Sequence, residues 1–240
     1  EAFRRRFYVP SNITVAVVGD LVRARELPIL ERYFGRIPPG PPAPRVQQIE
    51  PLQQGERQVV VNRKSAPQIL IAYHKPVFPH PDDAPLSLLA EILSQGRTSR
   101  LYQELIKKRR VVVSLDSFEA PGVAYPNLLV FGFKPRKPHT NQEVLQSFDA
   151  VLAGLQSKPV SAQELSIAKR KIMMSYLKEL KSNLSLARDL ARAQAEYGDW
   201  RALTRWYEQM LEVNLADVQR VAKQYLRPET RTVARLEQES

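Results

Sequence analysis

The apolar pattern in the first part of the chain predicts strands. Ile13–Val18 is a continuous, mostly β-branched run closed by Gly19-Asp20, which is typical of a buried strand. Four later runs also have strand character: Arg57–Arg63, Pro67–Tyr73, Val111–Phe118 and Asn127–Phe133. The polar segment Asn62–Ser65 predicts a hairpin between the first two of these runs. Strands in adjacent pairs favour an antiparallel sheet, because βαβ units would alternate strand with helix.

Helical spacing dominates the remainder of the sequence. The helical segments are Val22–Phe34, Asp82 or Asp83 to Gly96, a short helix capped by Thr98 or Ser99, Thr140–Leu155, Ser161–Tyr197, Ala202–Leu211 and Leu215–Tyr225. Ser161-Ala-Gln-Glu164 predicts a capping box, and Asn214 is a candidate cap. Arg231–Leu236 is expected to rejoin the sheet as a strand. The predicted fold is therefore α+β, with helices on one face of an antiparallel sheet.

Prolines indicate where the chain divides. Ile37–Pro44 is too rich in proline for a helix or a central strand, so we expect an extended spacer there. Glu1–Tyr8 has the pattern of the last turns of a helix that stops before Pro10, which suggests a fragment or a processed chain. We predict a strand–helix tail and linker over 1–40 and one domain over 41–240.

Composition removes several function classes. Of 240 residues, 43% are hydrophobic and 25% charged, as in an ordinary folded domain. The absence of cysteine excludes disulfides, thiolate catalysis and cysteine-ligated zinc. No run approaches the ~20 apolar residues of a membrane span. The net charge is +11, but the basic residues are spread along the chain without a nucleic-acid-binding motif, so we expect no nucleic-acid partner.

No catalytic constellation is visible. The three histidines are His74, His80 and His139, and no His-x-x-Glu-His spacing occurs. A metal site built from His74, His80, Asp82 and Asp83 is a weaker alternative, because helix capping already explains both aspartates. A nucleophile elbow and a glycine-rich phosphate loop are also missing from the sequence. We therefore expect neither a catalytic residue nor a metal ligand in this chain.

Seven segments, in order, resemble the pitrilysin, insulinase and mitochondrial-processing-peptidase family. They are Phe7–Asp20, Tyr33–Pro38, Gly55-Glu-Arg57, Ile71–Pro76 with His80-Pro-Asp82, Leu93–Leu105, Val160–Leu165 and Asp217–Leu226. The resemblance implies a zinc metallopeptidase whose metal and catalytic glutamate lie in a domain upstream of Glu1. Residues 1–35 would then be the last helix, strand and helix of that domain. The rest would be a metal-free second domain of the processing-peptidase type.

The resemblance also suggests which residues face substrate. One loop resembles the family's glycine-rich segment and would line the chamber or a domain interface. A simple turn between two helices is an equal interpretation. The loop comprises Ser94, Gln95, Gly96, Arg97, Thr98, Ser99 and Arg100. Some members complete the active site with an Arg and a Tyr from this domain. Ile106 and Val113 stand at those positions here, and neither donates a hydrogen bond to an oxyanion.

Two functions follow from the resemblance. The first is the non-catalytic C-terminal part of a zinc metalloendopeptidase, forming the chamber wall and an interface with the zinc-bearing domain. It would handle peptide substrates, pair with a homologous second subunit or a second copy, and be inactive alone. The alternative is a scaffold or accessory subunit of a two-subunit peptidase or membrane complex, with no proteolysis of its own. Family resemblance slightly favours the bacterial periplasm or another exported compartment.

Overall fold

The computed structural model describes residues 1–38, 40–42, 51–122, 125 and 127–239. The chain forms two compact units, Glu1–Pro51 with Met173–Arg205, and Leu52–Ile172 with Trp206–Ser240. Residues 39, 43 and 44 of the predicted proline spacer lie outside the described residues, and its role as a domain boundary stays a prediction. The helices in the described ranges lack the length and apolar composition that crossing a membrane requires.

A five-stranded sheet forms the centre of the second unit. Its strands are β1 (Arg57–Arg63), β2 (Gln68–Lys75), β3 (Val112–Ala120), β4 (Asn127–Pro135) and β5 (Arg231–Gln238). Their order across the sheet is β1-β5-β2-β4-β3, and only β1 and β5 run parallel. The five strands predicted between Arg57 and Leu236 are thus confirmed, as is the mostly antiparallel α+β fold class.

The predicted hairpin between β1 and β2 is wrong, because β5 lies between them. Val233 of β5 is completely buried, whereas every residue of β1 is exposed. The strand with the better apolar face occupies the interior position, and β1 takes the edge. Local turn residues cannot reveal this arrangement, since the inserted strand comes from the other end of the chain.

Helices complete both units. They are α1 (Ala2–Phe7), α2 (Arg23–Phe34), α3 (Asp83–Ser94), a π-helix (Tyr102–Lys108), α4 (Asn141–Ser157), α5 (Ala162–Glu179), α6 (Asn183–Tyr197), α7 (Ala202–Glu212) and α8 (Leu215–Tyr225). The predicted capping box and the predicted cap are both present: Ser161 and Glu164 exchange hydrogen bonds, and Asn214 caps α8 by accepting from the backbone N–H of Asp217. Asp82 stands at the N-cap of α3 but makes no capping hydrogen bond.

The core lies between the sheet and the helices packed on one of its faces. Tyr73 of β2 and Phe131 and Phe133 of β4 surround Phe148 of α4, with ring centroids 5.3–6.5 Å apart. Alternate residues along a strand point to opposite faces, so Leu70 points away from this cluster. The opposite face is exposed at Leu70.

Two predicted elements differ in the structure. Ile13–Val18 is extended but joins no ladder among the described residues, and Ile13, Val15 and Val17 are 59%, 50% and 49% exposed. A strand requires a hydrogen-bonded neighbour, and the described part of the chain provides none for this run. The predicted long helix from Ser161 to Tyr197 is broken after Glu179. There Ser182 adopts an extended conformation and accepts a hydrogen bond from the backbone of Ser185, which starts α6.

Candidate functional site

The four residues of the alternative metal site are engaged in other interactions. Asp82 accepts hydrogen bonds from Arg220 at 2.6 Å and from the Tyr225 hydroxyl at 2.7 Å. The His80 ring accepts from the Asp82 backbone N–H at 3.1 Å. Among the residues that the structure describes, no three His, Asp or Glu side chains are grouped so that they could hold a metal ion.

Asp83 belongs to a buried ionic cluster. Its carboxylate pairs with the Lys75 ammonium and accepts a hydrogen bond from the Trp206 indole at 2.6 Å. Lys75, whose side chain is 1% exposed, also pairs with Glu119 at 3.0 Å. The cluster joins the end of β2 to the first turn of α3 and to α7. The two aspartates therefore serve packing through ion pairs rather than helix capping, which corrects the sequence-based interpretation.

Asp82 is held in its ionised form. Burial alone raises the pKa of this carboxyl, but the hydrogen bonds from Arg220 and Tyr225 and the Arg220 charge outweigh burial and lower the pKa. A carboxyl group held ionised in this way cannot act as a general acid near neutral pH. The geometry favours a structural role.

The loop at 94–100 is fastened to β3. The buried Ser94 hydroxyl lies 2.7 Å from the Ser117 hydroxyl, and the Gln95 amide donates to the same Ser117 oxygen at 2.9 Å. Lys171 of α5 donates to the Gln95 carbonyl at 3.0 Å. These bonds hold the end of α3 against the sheet.

The turn itself exposes two side chains. Gly96 has φ +81°, a conformation that favours glycine, and its carbonyl accepts from the Ser99 hydroxyl at 2.8 Å. The helix that follows is a π-helix without a side-chain cap, so the predicted capping by Thr98 or Ser99 is wrong. Arg97 and Thr98 remain exposed. They are the loop side chains best placed to touch a partner, and their role in binding stays a prediction.

Arg100 anchors the first turn of α5. Its guanidinium makes two hydrogen bonds to Glu164, at 2.7 and 2.8 Å, and donates to the carbonyls of Lys158 and Pro159 at 2.7 and 2.9 Å. These four hydrogen bonds are all made to other residues of the chain rather than to a bound molecule. Arg100 is a positioning residue in this structure.

Replacing Arg100 with methionine should remove an acid-dependent part of the stability. Hydrogen bonds from Arg100, which contribute most, and from the backbone N–H and hydroxyl of Ser161 lower the pKa of Glu164 from 4.5 to about 2, so the substitution removes the larger part of this shift. A lowered folded-state pKa stabilises the protein above pH 4.5, and that contribution is lost as the pH falls from 4.5 towards 2. After allowance for the partial exposure of Glu164, we expect a cost of about 1–2 kcal/mol at neutral pH. Urea unfolding at several pH values measures it, and a cost that does not shrink on acidification would contradict the assignment.

Ile106 and Val113 lie in separate elements. Ile106 is half-buried in the π-helix, and Val113 is exposed at an irregularity between Val112 and Ser114 of β3, where the register with β4 shifts. A bulge of this kind redirects a side chain. Their correspondence to an Arg/Tyr pair stays a prediction.

Sequence reasoning missed a second ionic cluster around Arg231. This arginine is 4% exposed, pairs with both carboxylate oxygens of Asp149, and donates to Glu56 at 2.6 Å. Burial raises the pKa of the nearby Tyr73 hydroxyl, and the Arg231 hydrogen bond and charge act in the opposite direction. The residues of this cluster lie far apart in the sequence, between positions 56 and 231, so no local motif predicts them.

Comparisons with known proteins identify a family and a curated relative for this chain. A family profile described as the peptidase M16 inactive domain matches residues 1–172. The zinc protease PqqE of Helicobacter pylori is 28% identical over 236 residues, which cover 94% of this chain and 51% of that protein. The chain therefore spans about half the length of this curated relative.

Solved structures share the fold. A protease from Helicobacter pylori superposes with a TM-score of 0.84 at 23% identity, over 92% of this chain and 53% of that one. The inactive peptidase domain of a Bordetella parapertussis protein assigned as a zinc protease is 30% identical, with a TM-score of 0.65 over 73% of this chain and 92% of that one. The sequence resemblance is confirmed, and the chain belongs to the peptidase M16 family as its inactive domain.

Proposed function

We propose that this chain is the C-terminal, non-catalytic part of a zinc-dependent metalloendopeptidase that processes or degrades peptides. The zinc ion and the catalytic glutamate belong to a domain that precedes Glu1. Membership of the inactive-domain family and the half-length match to a zinc protease support this proposal. The described residues offer no grouped metal ligands of their own.

An uncovered apolar groove in the first unit is the observation that carries the proposal. The extended run and α2 enclose about 950 Å³, lined by apolar side chains: Ile13, Val15, Val17, Leu27, Leu30 and Phe34. The run also has no strand partner within the ranges that the structure describes, so both its side chains and its backbone groups require a neighbour. A sheet of the preceding domain would cover the apolar side chains and pair with the backbone of the run. Residues 1–40 are then the last part of that domain together with the linker, and residues 41–240 are the second domain.

The exposed sheet face of the second unit suits a chamber wall. Strand register places Val59 and Val61 of β1, Leu70 of β2 and Phe118 of β3 on this face, and all four are exposed. β1 and β3 are the edge strands, and an edge can pair with an extended peptide through main-chain hydrogen bonds. We place the 94–100 loop at the same chamber or at the domain interface.

The alternative function is a scaffold or accessory subunit that pairs with a separate zinc-bearing homologue. The apolar side chains at Ile106 and Val113 do not separate the two functions, because the resemblance implies that both a zinc-bearing subunit and a purely structural subunit can lack the Arg/Tyr pair. We further propose an exported location such as the bacterial periplasm. The same fold occurs, at 17% identity, in the periplasmic protease PqqL of Escherichia coli.

The test compares the chain alone with the chain joined to its preceding domain. Alone, we expect no bound zinc by elemental analysis and no hydrolysis of an unstructured peptide. Joined, we expect one zinc and hydrolysis that a chelator abolishes. Stoichiometric zinc with chelator-sensitive hydrolysis in the isolated chain would refute the proposal. Activity only after mixing with a separate zinc-bearing homologue would favour the accessory subunit.

Two single substitutions test whether the exposed sheet face of the second unit binds substrate. In the joined protein, Phe118→Lys should raise KM for the peptide several-fold and leave the zinc content unchanged. Leu211→Lys, at an equally exposed apolar position on α7, is the matched control and should leave KM unchanged. Equal KM values for both variants and the unmodified protein would exclude the exposed sheet face from substrate binding.

A further inference from the structure

A second cavity lies on the helix side of the sheet in the second unit, away from the proposed wall. It encloses about 470 Å³ between α4, α8 and the turn before β5. This volume is within the usual range of small-ligand sites. Its apolar lining consists of Leu152, Leu155, Val160, Val218 and Leu226.

The deep end of the cavity holds polar groups. Tyr73 lines it, is 1% exposed, and its O–H has no acceptor among the described residues. Arg231 and Asp149, which pair with each other, also line this end. Arg231 can donate to the Tyr73 oxygen, but a buried O–H without an acceptor is still unfavourable, because this donor has lost its hydrogen bond to water. A bound group with an oxygen acceptor would remove this cost.

Charge restricts what that bound group can be. Arg231 already faces two carboxylates, those of Glu56 and Asp149. A third carboxylate beside them would add an uncompensated negative charge at a buried position. A neutral amide fits better, since its carbonyl can accept from Tyr73 while its N–H donates to Asp149.

The solvent side of the cavity, in contrast, favours a negatively charged group. Lys223 and Arg227 line it and are exposed, while Glu229 offsets one of the two positive charges. One net positive charge remains to attract an anion. An apolar body, an inner amide and an outer carboxylate are the features of a peptide's C-terminal residue with an apolar side chain.

We propose that the cavity between α4 and α8 binds the C-terminal end of a peptide whose last residue is apolar. The last amide enters to Tyr73 and Asp149, and the apolar side chain packs against Leu152 and Val218. The carboxylate stays near Lys223 and Arg227, and the chain turns at the last amide so that the preceding residues leave through the same open side. No bond is made or broken. The inference does not depend on zinc, on hydrolysis or on the preceding domain.

The test uses N-acetyl-leucine and an acetylated tripeptide ending in leucine as probes for the 240-residue chain. Amide chemical shifts of the α4 and α8 lining residues should change saturably with both probes. N-acetyl-leucinamide, which lacks the carboxylate, and free leucine, which lacks the inner carbonyl, should each bind several-fold more weakly. Tyr73→Phe should weaken binding about tenfold, because it removes one hydrogen bond.

Two variants keep the test decisive. Tyr73→Phe should fold, because the lost O–H has no acceptor among the described residues and Arg231 keeps its ion pairs with Glu56 and Asp149. Ala222→Leu should narrow the cavity from α8 and reduce binding independently. Equal affinity of Tyr73→Phe and the unmodified chain would overturn the assignment, as would unchanged shifts at millimolar probe. Binding of N-acetyl-leucine but not of the tripeptide would limit the site to small molecules and refute a peptide ligand.

Discussion

Replacing Asp83 with alanine is expected to lower the free energy of unfolding by about 3–5 kcal/mol, the range found when one member of a buried ion pair is removed. The change leaves the almost fully buried Lys75 ammonium with Glu119 alone and removes the acceptor of the Trp206 indole. The first turn of α3 then loses its ionic link to β2. Urea unfolding followed by circular dichroism measures the change as a lower midpoint at unchanged slope.

Two controls separate ion pairing from general damage. Arg5→Ala breaks a pair with Glu1 whose side chains are 83% and 90% exposed, and the free energy of unfolding should change by less than ~0.5 kcal/mol. The double variant Lys75→Met with Asp83→Asn removes both charges and keeps an acceptor for the indole. It should recover more than half of the loss. A cost below about 1 kcal/mol for Asp83→Ala would show that the buried pair does not stabilise the fold.

Replacing Arg231 with methionine is expected to cost about 3 kcal/mol, because two carboxylates then face each other without their shared cation. Glu56 and Asp149 are 24% and 39% exposed, so water relieves part of the repulsion and keeps the cost at the lower end. The matched control is Arg235→Met, four residues further along β5, where the hydrogen-bond partners are the neutral Gln58 and Gln142. That variant should lose less than ~1.5 kcal/mol.

Acidification should reduce the loss of stability that Arg231→Met causes. Burial raises the pKa of Glu56, but hydrogen bonds from Gln58 and Arg231 and the neighbouring positive charges lower it overall. A lowered folded-state pKa contributes stability above the ordinary value of 4.5, and the contribution disappears as the pH falls below it. The gap between Arg231→Met and the unmodified chain should therefore narrow below pH 4.5. A gap that widens on acidification would contradict this role of the carboxylate.

Local patterns predicted most of the elements correctly. The apolar run from Ile69 to Tyr73 marked β2. Ser161 with Glu164, and Asn214, marked two helix starts. Each of these signals depends on residues within a few positions of one another, so the information is contained in the segment itself. The family resemblance could be recognised for the same reason, since its motifs are short and their order along the chain is preserved.

Long-range choices were decided by tertiary structure alone. The sequence by itself determined the α+β class, the strands of the sheet, most of the helices and the likeness to zinc peptidases. Only the folded chain decided that β5 separates β1 from β2, that Asp83 pairs with Lys75, and that Tyr73 meets Arg231 and Asp149 at one cavity. Sheet order and buried ion pairs depend on which distant surfaces exclude water together, and no local period encodes that competition.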